Sequence, residues 1–202
     1  MQPLLSAAFA WAISNTGIIT PLAAYSLNQM LPINLRRYLN DENTQELGNL
    51  FACPELNTRF NQDWDSPQWW MEIQRLSGNL KQMLASREYL WMLDTPASQM
   101  KTAVAKLFER CLEEIYHGRD YPSGVSNLGQ INFKMGDPLW DAQEVYFSSG
   151  HGKMGTYLFI SVVTVADGMG LCLDYPHPLC STAQARMFFE KFCYFLTEMT
   201  QK

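Results

Sequence analysis

From Tyr157 to Val165 nearly every position is apolar, and β-branched and aromatic residues dominate, which predicts a strand buried on both faces. Ala166-Asp167-Gly168 interrupts the run. An Asp-Gly pair accepts the positive φ angles of a tight hairpin, so Met169 to Tyr175 is expected to return antiparallel. Alternation then puts Met169, Leu171, Leu173 and Tyr175 on one face and Gly170, Cys172 and Asp174 on the other. After Pro176 and Pro178 the apolar spacing changes from two to three and four. Ala185, Phe188, Phe189, Phe192, Phe195, Leu196 and Met199 form one stripe of a helix, opened by a capping box of Ser181 and Gln184, and that stripe must lie on the sheet.

The rest of the chain reads as segments around this unit. Leu4 to Ile13 is apolar throughout, and Pro3 suits a first helical turn, so the spacing predicts a buried helix that begins at once. A secretory signal is the weaker reading, because no basic residue precedes the run, and the run is too short to span a bilayer. A chain that opens inside a core element invites the expectation that it is one half of something larger. Ser26 to Asn34 and Leu47 to Cys53 read as strands, with Gly48 marking a bulge or a close approach, and Leu56 to Phe60 continues the second. Ser66 as N-cap and Pro67 at the first helical position start a helix whose stripe is Trp69, Trp70, Ile73, Leu76, Leu80 and Leu84. The Trp69-Trp70 pair is read as packing rather than ligand stacking, since large aromatics dominate buried area. Thr95-Pro96 repeats the start signal for a helix that ends near His117-Gly118. Val125 to Phe133 reads as a strand after the turn Tyr121-Pro122-Ser123-Gly124, Glu144 to Ser148 as a short strand, and Ser149 to Lys153 as a loop. Helices grouped apart from strands indicate an α+β fold, a two-layer sandwich with a mixed, largely antiparallel sheet and helices packed on one face. Residues 1–202 are expected to form a single domain.

Charge and cysteine content narrow the function. A net charge of -5, with no basic block longer than Arg36-Arg37, argues against nucleic acid or an anionic membrane as main partner. Five scattered cysteines sit mostly in apolar patterns, which is the pattern of reduced, buried thiols and of a cytoplasmic protein. None has zinc-ligand spacing, and His117, His151 and His177 have no metal-type neighbours, so no metal is expected. Within the strand from Val125, the residues Ser126, Asn127 and Gly129 stand where apolar or β-branched residues are preferred. Either they line a functional surface or they mark a bulged strand end.

Taken in order, Pro32-Ile33-Asn34-Leu35-Arg36, Leu47-Gly48-Asn49, Ser126-Asn127-Leu128-Gly129, Thr164-Val165-Ala166-Asp167-Gly168 and the capped last helix resemble a known set. They look like the C-terminal half of acyltransferases with the chloramphenicol acetyltransferase fold, a group that includes alcohol acetyltransferases, polyketide-associated acyltransferases and nonribosomal peptide condensation domains. The resemblance implies an active-site tunnel between two similar halves, with a thioester of coenzyme A or of a carrier protein as acyl donor and no bound cofactor. It implies that an H-H-x-x-x-D-G motif in the first half holds the general base. This sequence has no His-His pair, and Asp167-Gly168 follows Val163-Thr164-Val165-Ala166 and so matches the non-catalytic hairpin. By the same resemblance Arg36 would pair with the motif aspartate of the first half, Ser126 would face the tunnel near the developing oxyanion, Asn127 and Gly129 would shape that strand, and Gly48 and Asn49 would lie near the tunnel mouth. Partners would be the N-terminal half and small-molecule acyl donor and acceptor, with no nucleic acid and no membrane span.

Independent catalysis has little to stand on. His151 lies between two glycines with nothing nearby in sequence to orient it, His177 sits between two prolines, and neither Ser149 nor Cys180 has a recognisable base. The expectation is therefore the second half of an acyltransferase, inactive alone. The alternative is a binding module that kept the fold without turnover. A self-sufficient enzyme with its site between identical subunits needs a local base and is the least supported.

Overall fold

The computed structural model describes residues 1–18, 26–38, 51–61, 63–90, 102, 106, 123–131, 142–148, 157–166 and 168–201. In chain order these form α1 (Gln2–Ser14), β1 (Ser26–Met30), β2 (Ile33–Asn34), β3 (Phe51–Ala52), β4 (Glu55–Arg59), α2 (Ser66–Ser86), β5 (Ser123–Gln130), β6 (Leu158–Val165), β7 (Gly168–Asp174) and α3 (Thr182–Thr200). Single 3-10 turns follow β2 at Arg36–Tyr38 and α2 at Glu88–Leu90.

Five strands make a mixed sheet in the order β4-β1-β5-β6-β7. Its outer pairs, β4 with β1 and β6 with β7, are antiparallel, and β5 runs parallel to both its neighbours. The helices α1, α2 and α3 all cover one face. Phe9 of α1, Trp69 of α2 and Phe188, Phe192 and Phe195 of α3 pack there against Leu27, Leu56, Val125, Leu158, Ile160 and Val162 of the sheet. This is the two-layer α+β arrangement that the periodicities predict. The alternate residues of β6, Phe159, Ser161 and Val163, point to the face away from the helices and are also buried, as the unbroken apolar run requires.

The ends of the elements follow from local chemistry. Ser181 and Gln184 close the expected reciprocal capping box of α3. In α2 the N-cap is Asp65 rather than Ser66, because Gln68 stands three residues after Asp65 and returns the bond to its backbone N–H, whereas Ser66 would need the same from Trp69. Trp69 is buried and Trp70 is exposed, so only the first tryptophan of the pair belongs to the core. α1 is buried nearly all round, and Pro3 lies in its first turn as expected. Gln29 of β1 reaches across the interface, its side-chain amide donating to the Ser6 carbonyl at 2.8 Å and to Thr58 Oγ1 at 3.0 Å.

The central hairpin forms in the expected register, Val165 opposite Gly168, and Leu171, Leu173 and Tyr175 face the helical core. Among the described residues of its turn a positive φ falls on Ala166, at +49°, while Gly168 is already a strand residue. Residues 142–148 do not form the expected strand, although their sequence is rich in β formers. They instead pass over β7, where a Cβ on Gly170 would collide with the Val145 carbonyl. Gly170→Ala is therefore expected to force this segment off the sheet and to cost about 1–3 kcal/mol, measured by chemical denaturation. An unchanged midpoint would contradict the close approach. Of the helix read from Thr95-Pro96 to His117 only Thr102 and Lys106 are described, both helical, and the loop from Ser149 to Lys153 lies outside the described residues, as do His117, His151 and Cys111.

Candidate functional site

The stretch Ser126-Asn127-Leu128-Gly129 lies near the C-terminal end of β5, the middle strand of the sheet. Asn127 pairs with Val162, but Gln130 pairs with Thr164, so β5 carries one extra residue there. Gly129 takes φ +73°, and its N–H donates to Asn127 Oδ1 at 2.9 Å. The plain reading of these polar residues, a bulged strand end, is thus present, and it accounts for Asn127 and Gly129. It does not account for Ser126. That residue precedes the bulge, is half-buried, and lies beside Ser161 of β6, which lies opposite Cys172 of β7. Val125, Ile160 and Leu173, one position away, face the helices, so the three polar residues share the other face. Phe159 covers Gly124 on one side of this row, and the Val145 carbonyl covers Gly170 on the other. Ser161 Oγ is buried and has no hydrogen-bond partner among the described residues.

Arg36 is positioned elsewhere. β2 pairs with β3, Ile33 opposite Ala52, and the 3-10 turn that follows starts with Arg36, whose backbone N–H donates to Asn34 Oδ1 at 3.0 Å. Leu35, immediately before it, is buried with Ala52, Tyr89 and Leu90 in a second, smaller apolar cluster. Arg36 itself is half-buried. The structure thus gathers Ser126, Asn127 and Gly129 into one bulge and sets Arg36 in the β2–β3 unit, while Gly48 and Asn49 lie outside the described residues.

Four of the cysteines are described, all as free thiols, with Cys180 buried and Cys53, Cys172 and Cys193 half-buried. Burial pushes the Cys53 thiol up to about 11. At pH 8 its thiolate fraction is therefore expected to be roughly a hundredfold below that of a free cysteine, with alkylation by iodoacetamide slowed accordingly. Because the folded value lies above the unfolded one, an unfolded chain loses this proton first as pH rises, and stability is expected to fall between about pH 9 and 11. Rapid labelling of Cys53 at pH 8 in the folded chain, read by peptide mass spectrometry, would contradict this. His177 lies exposed in the turn before α3, in keeping with its place between prolines. Among the described residues no group of three or more His, Cys, Asp or Glu is placed to hold a metal, and no helix is long and apolar enough to cross a membrane.

No family model matches the sequence, and no curated protein matches it. Solved structures do. The epimerization domain from the third module of tyrocidine synthetase B superposes with a TM-score of 0.61 at 16% sequence identity, covering 100% of this chain and 42% of that one. A condensation domain of the enacyloxin polyketide synthase, which mediates chain release there, superposes with a TM-score of 0.54 at 11% identity, covering 98% of this chain and 35% of that one. The fold is chloramphenicol acetyltransferase-like, as in condensation domains. The chain accounts for only about two fifths of one condensation-type structure and one third of the other, so it corresponds to part of such a domain. Arg37, Tyr38, Arg87 and Tyr89, which come together beside the smaller apolar cluster, are not singled out by the sequence reading. They lie some fifty positions apart, and no local pattern marks their convergence.

Proposed function

We propose that the chain is the second, C-terminal half of an acyltransferase of the condensation-domain type, completed by a first half that carries the H-H-x-x-x-D-G motif. In that assembly an acyl group passes from a thioester to a hydroxyl or amine. The observation that carries this reading is the superposition, which takes in the whole chain but well under half of each neighbour. The polar row beginning at Ser126, set in the face that the helices leave uncovered, is consistent with it. In the completed enzyme the histidine base comes from the other half. Ser126 supplies a hydroxyl to the developing oxyanion, and Arg36 pairs with the motif aspartate and holds the catalytic loop. A bidentate Arg–carboxylate pair fixes such a loop in orientation as well as by charge. Acyl donors are thioesters of coenzyme A or of a carrier protein, and the 202 residues act as one folding unit.

Replacing Ser126 by alanine in the reconstituted enzyme is expected to lower kcat by about 10²–10³-fold, the loss typical of one oxyanion donor, with KM little changed. Arg36→Ala is expected to lower turnover together with the affinity between halves. Full activity in both variants would remove these residues from the mechanism.

A second reading, a binding module without turnover, draws on the bulge. Asn127 and Gly129 have a sufficient structural reason to be where they are, so their presence does not by itself require chemistry. Under that reading Ser126→Ala changes ligand affinity only.

A further inference from the structure

The second apolar cluster carries a group of polar side chains that the acyl-transfer reading does not use. Tyr89 is buried, and its hydroxyl forms a short hydrogen bond with that of Tyr38. Arg37, which follows Arg36 in the 3-10 turn, donates from Nη2 to Tyr89 Oη at 3.5 Å, and its guanidinium carbon lies 4.8 Å from the Tyr38 ring centroid. Arg87, the left-handed residue that ends α2, brings a second guanidinium to 5.5 Å from the same ring. Neither Arg37 nor Arg87 has a carboxylate partner among the described residues. Among the described residues, two cations without a carboxylate partner converge on one tyrosine, in a chain whose net charge is -5.

Each arginine has a partial structural reason. Stacking on an aromatic ring is favourable, and Arg87 faces the negative end of the α2 dipole. Neither reason brings the second cation to the same ring, where like charges repel. The hydroxyls point the same way. Two tyrosines hold two protons, and one is used in the bond between them. Burial and that hydrogen bond raise the Tyr89 pKa above its ordinary value, and the O–H that the pair does not use between its own members can donate outward. The backbone is fixed on both sides, by the turn from Arg36 to Tyr38 and by the turn from Glu88 to Leu90, each anchored through a buried leucine. Exposed guanidinium forks, a free O–H donor and a rigid base are what a phosphate group needs.

We infer that Arg37, Arg87 and the Tyr38–Tyr89 pair form a binding site for a phosphate-bearing ligand. Its link to acyl transfer rests on the proposed function, under which the phosphate belongs to the pantetheine arm of the acyl donor. Coenzyme A and a phosphopantetheinylated carrier share that chemistry.

Calorimetric titration of the whole chain separates these possibilities, using coenzyme A, 3′-dephospho-coenzyme A, a phosphopantetheinylated carrier protein, pantetheine and inorganic phosphate as probes. The site predicts that coenzyme A or the loaded carrier binds at least tenfold tighter than pantetheine, and that the affinity falls as salt is raised. Arg37→Gln weakens it about tenfold, Arg87→Gln less, since part of that charge faces the helix end, and the double variant about a hundredfold. Arg37→Lys keeps the charge but loses the fork, so it recovers only part of the binding, and a thermal melt confirms that each variant is folded. Preference for coenzyme A over the dephospho form assigns the donor to the free coenzyme, and preference for the loaded carrier assigns it to the protein. Equal affinity for pantetheine and coenzyme A, or unchanged phosphate binding in the folded double variant, overturns the site. Phosphate binding that depends on Arg37, in a chain that gains no turnover with any first half, leaves the site standing and removes the acyltransferase reading. Thioester turnover with an unchanged KM in the double variant does the reverse.

Discussion

Phe188→Ala is expected to lower stability by about 3–5 kcal/mol and the melting temperature by about 10 °C. Phe188 is fully buried on α3, its ring 4.9 Å from that of Phe9 in an edge-to-face contact and 6.4 Å from that of Phe192. It therefore joins the first helix of the chain to the last over the centre of the sheet. Truncation removes the transfer free energy of the ring and leaves a cavity walled by aromatic side chains that are themselves locked, so collapse is limited. The contrast on the same helix is Met187, which is 39% exposed and whose alanine variant is expected to stay within about 0.5 kcal/mol. Both are read by urea denaturation. Similar midpoints for the two variants would mean that α3 does not pack on α1 as described.

The second large effect is expected at Glu72, where alanine should cost about 2–4 kcal/mol. Glu72 is a buried carboxylate on α2. It accepts hydrogen bonds from the Arg59 backbone N–H at 2.7 Å, from Arg75 Nε at 2.7 Å and from Arg75 Nη2 at 2.5 Å. Arg75 in turn donates to the Asn57 carbonyl at 2.8 Å, so the pair fastens α2 to β4, an edge strand of the sheet. Deleting the carboxylate orphans the Arg59 backbone N–H and removes the charge partner of Arg75, which keeps its bond to the Asn57 carbonyl. Glu72→Gln keeps an acceptor for Arg59 and is expected to recover part of the loss. Arg75 is only about a quarter exposed, so solvent screens the pair weakly and the effect should persist at high salt. Equal stability of the alanine variant and the parent chain in denaturant would show that this fastening carries nothing.

Much of this fold is legible in the sequence because local and long-range signals agree there. The run from Tyr157 to Val165, its hairpin and the capped phenylalanine stripe of α3 each specify one element and one buried face. The N-cap of α2 was also present in the sequence, since Asp65 and Gln68 have capping-box spacing, but Ser66-Pro67 offers a competing start one residue later. The segment 142–148 misleads because β propensity measures fit to a pleated surface, and here the surface is met by passing over β7 rather than by pairing with it.

The candidate site is legible only in part. Polar residues in a central strand mark Ser126-Asn127-Leu128-Gly129, yet the same letters encode a bulge, and only the register shift separates Ser126 from the two residues that the bulge explains. The four residues around Tyr38 come from two turns that meet through the smaller apolar cluster, and contacts of that separation leave no periodic trace in a single sequence.

The central claim is that this chain completes an enzyme whose histidine base lies elsewhere. Its most direct test is size-exclusion chromatography with light scattering on the purified chain, alone and co-expressed with the polypeptide encoded immediately upstream, followed by thioester consumption on each peak. The expected result is a one-to-one complex that consumes thioester, a chain that is inactive alone, and loss of turnover when the histidine of the first half is replaced. A monomer that takes up no partner and never turns over thioester would contradict it, and so would a chain that is fully active by itself.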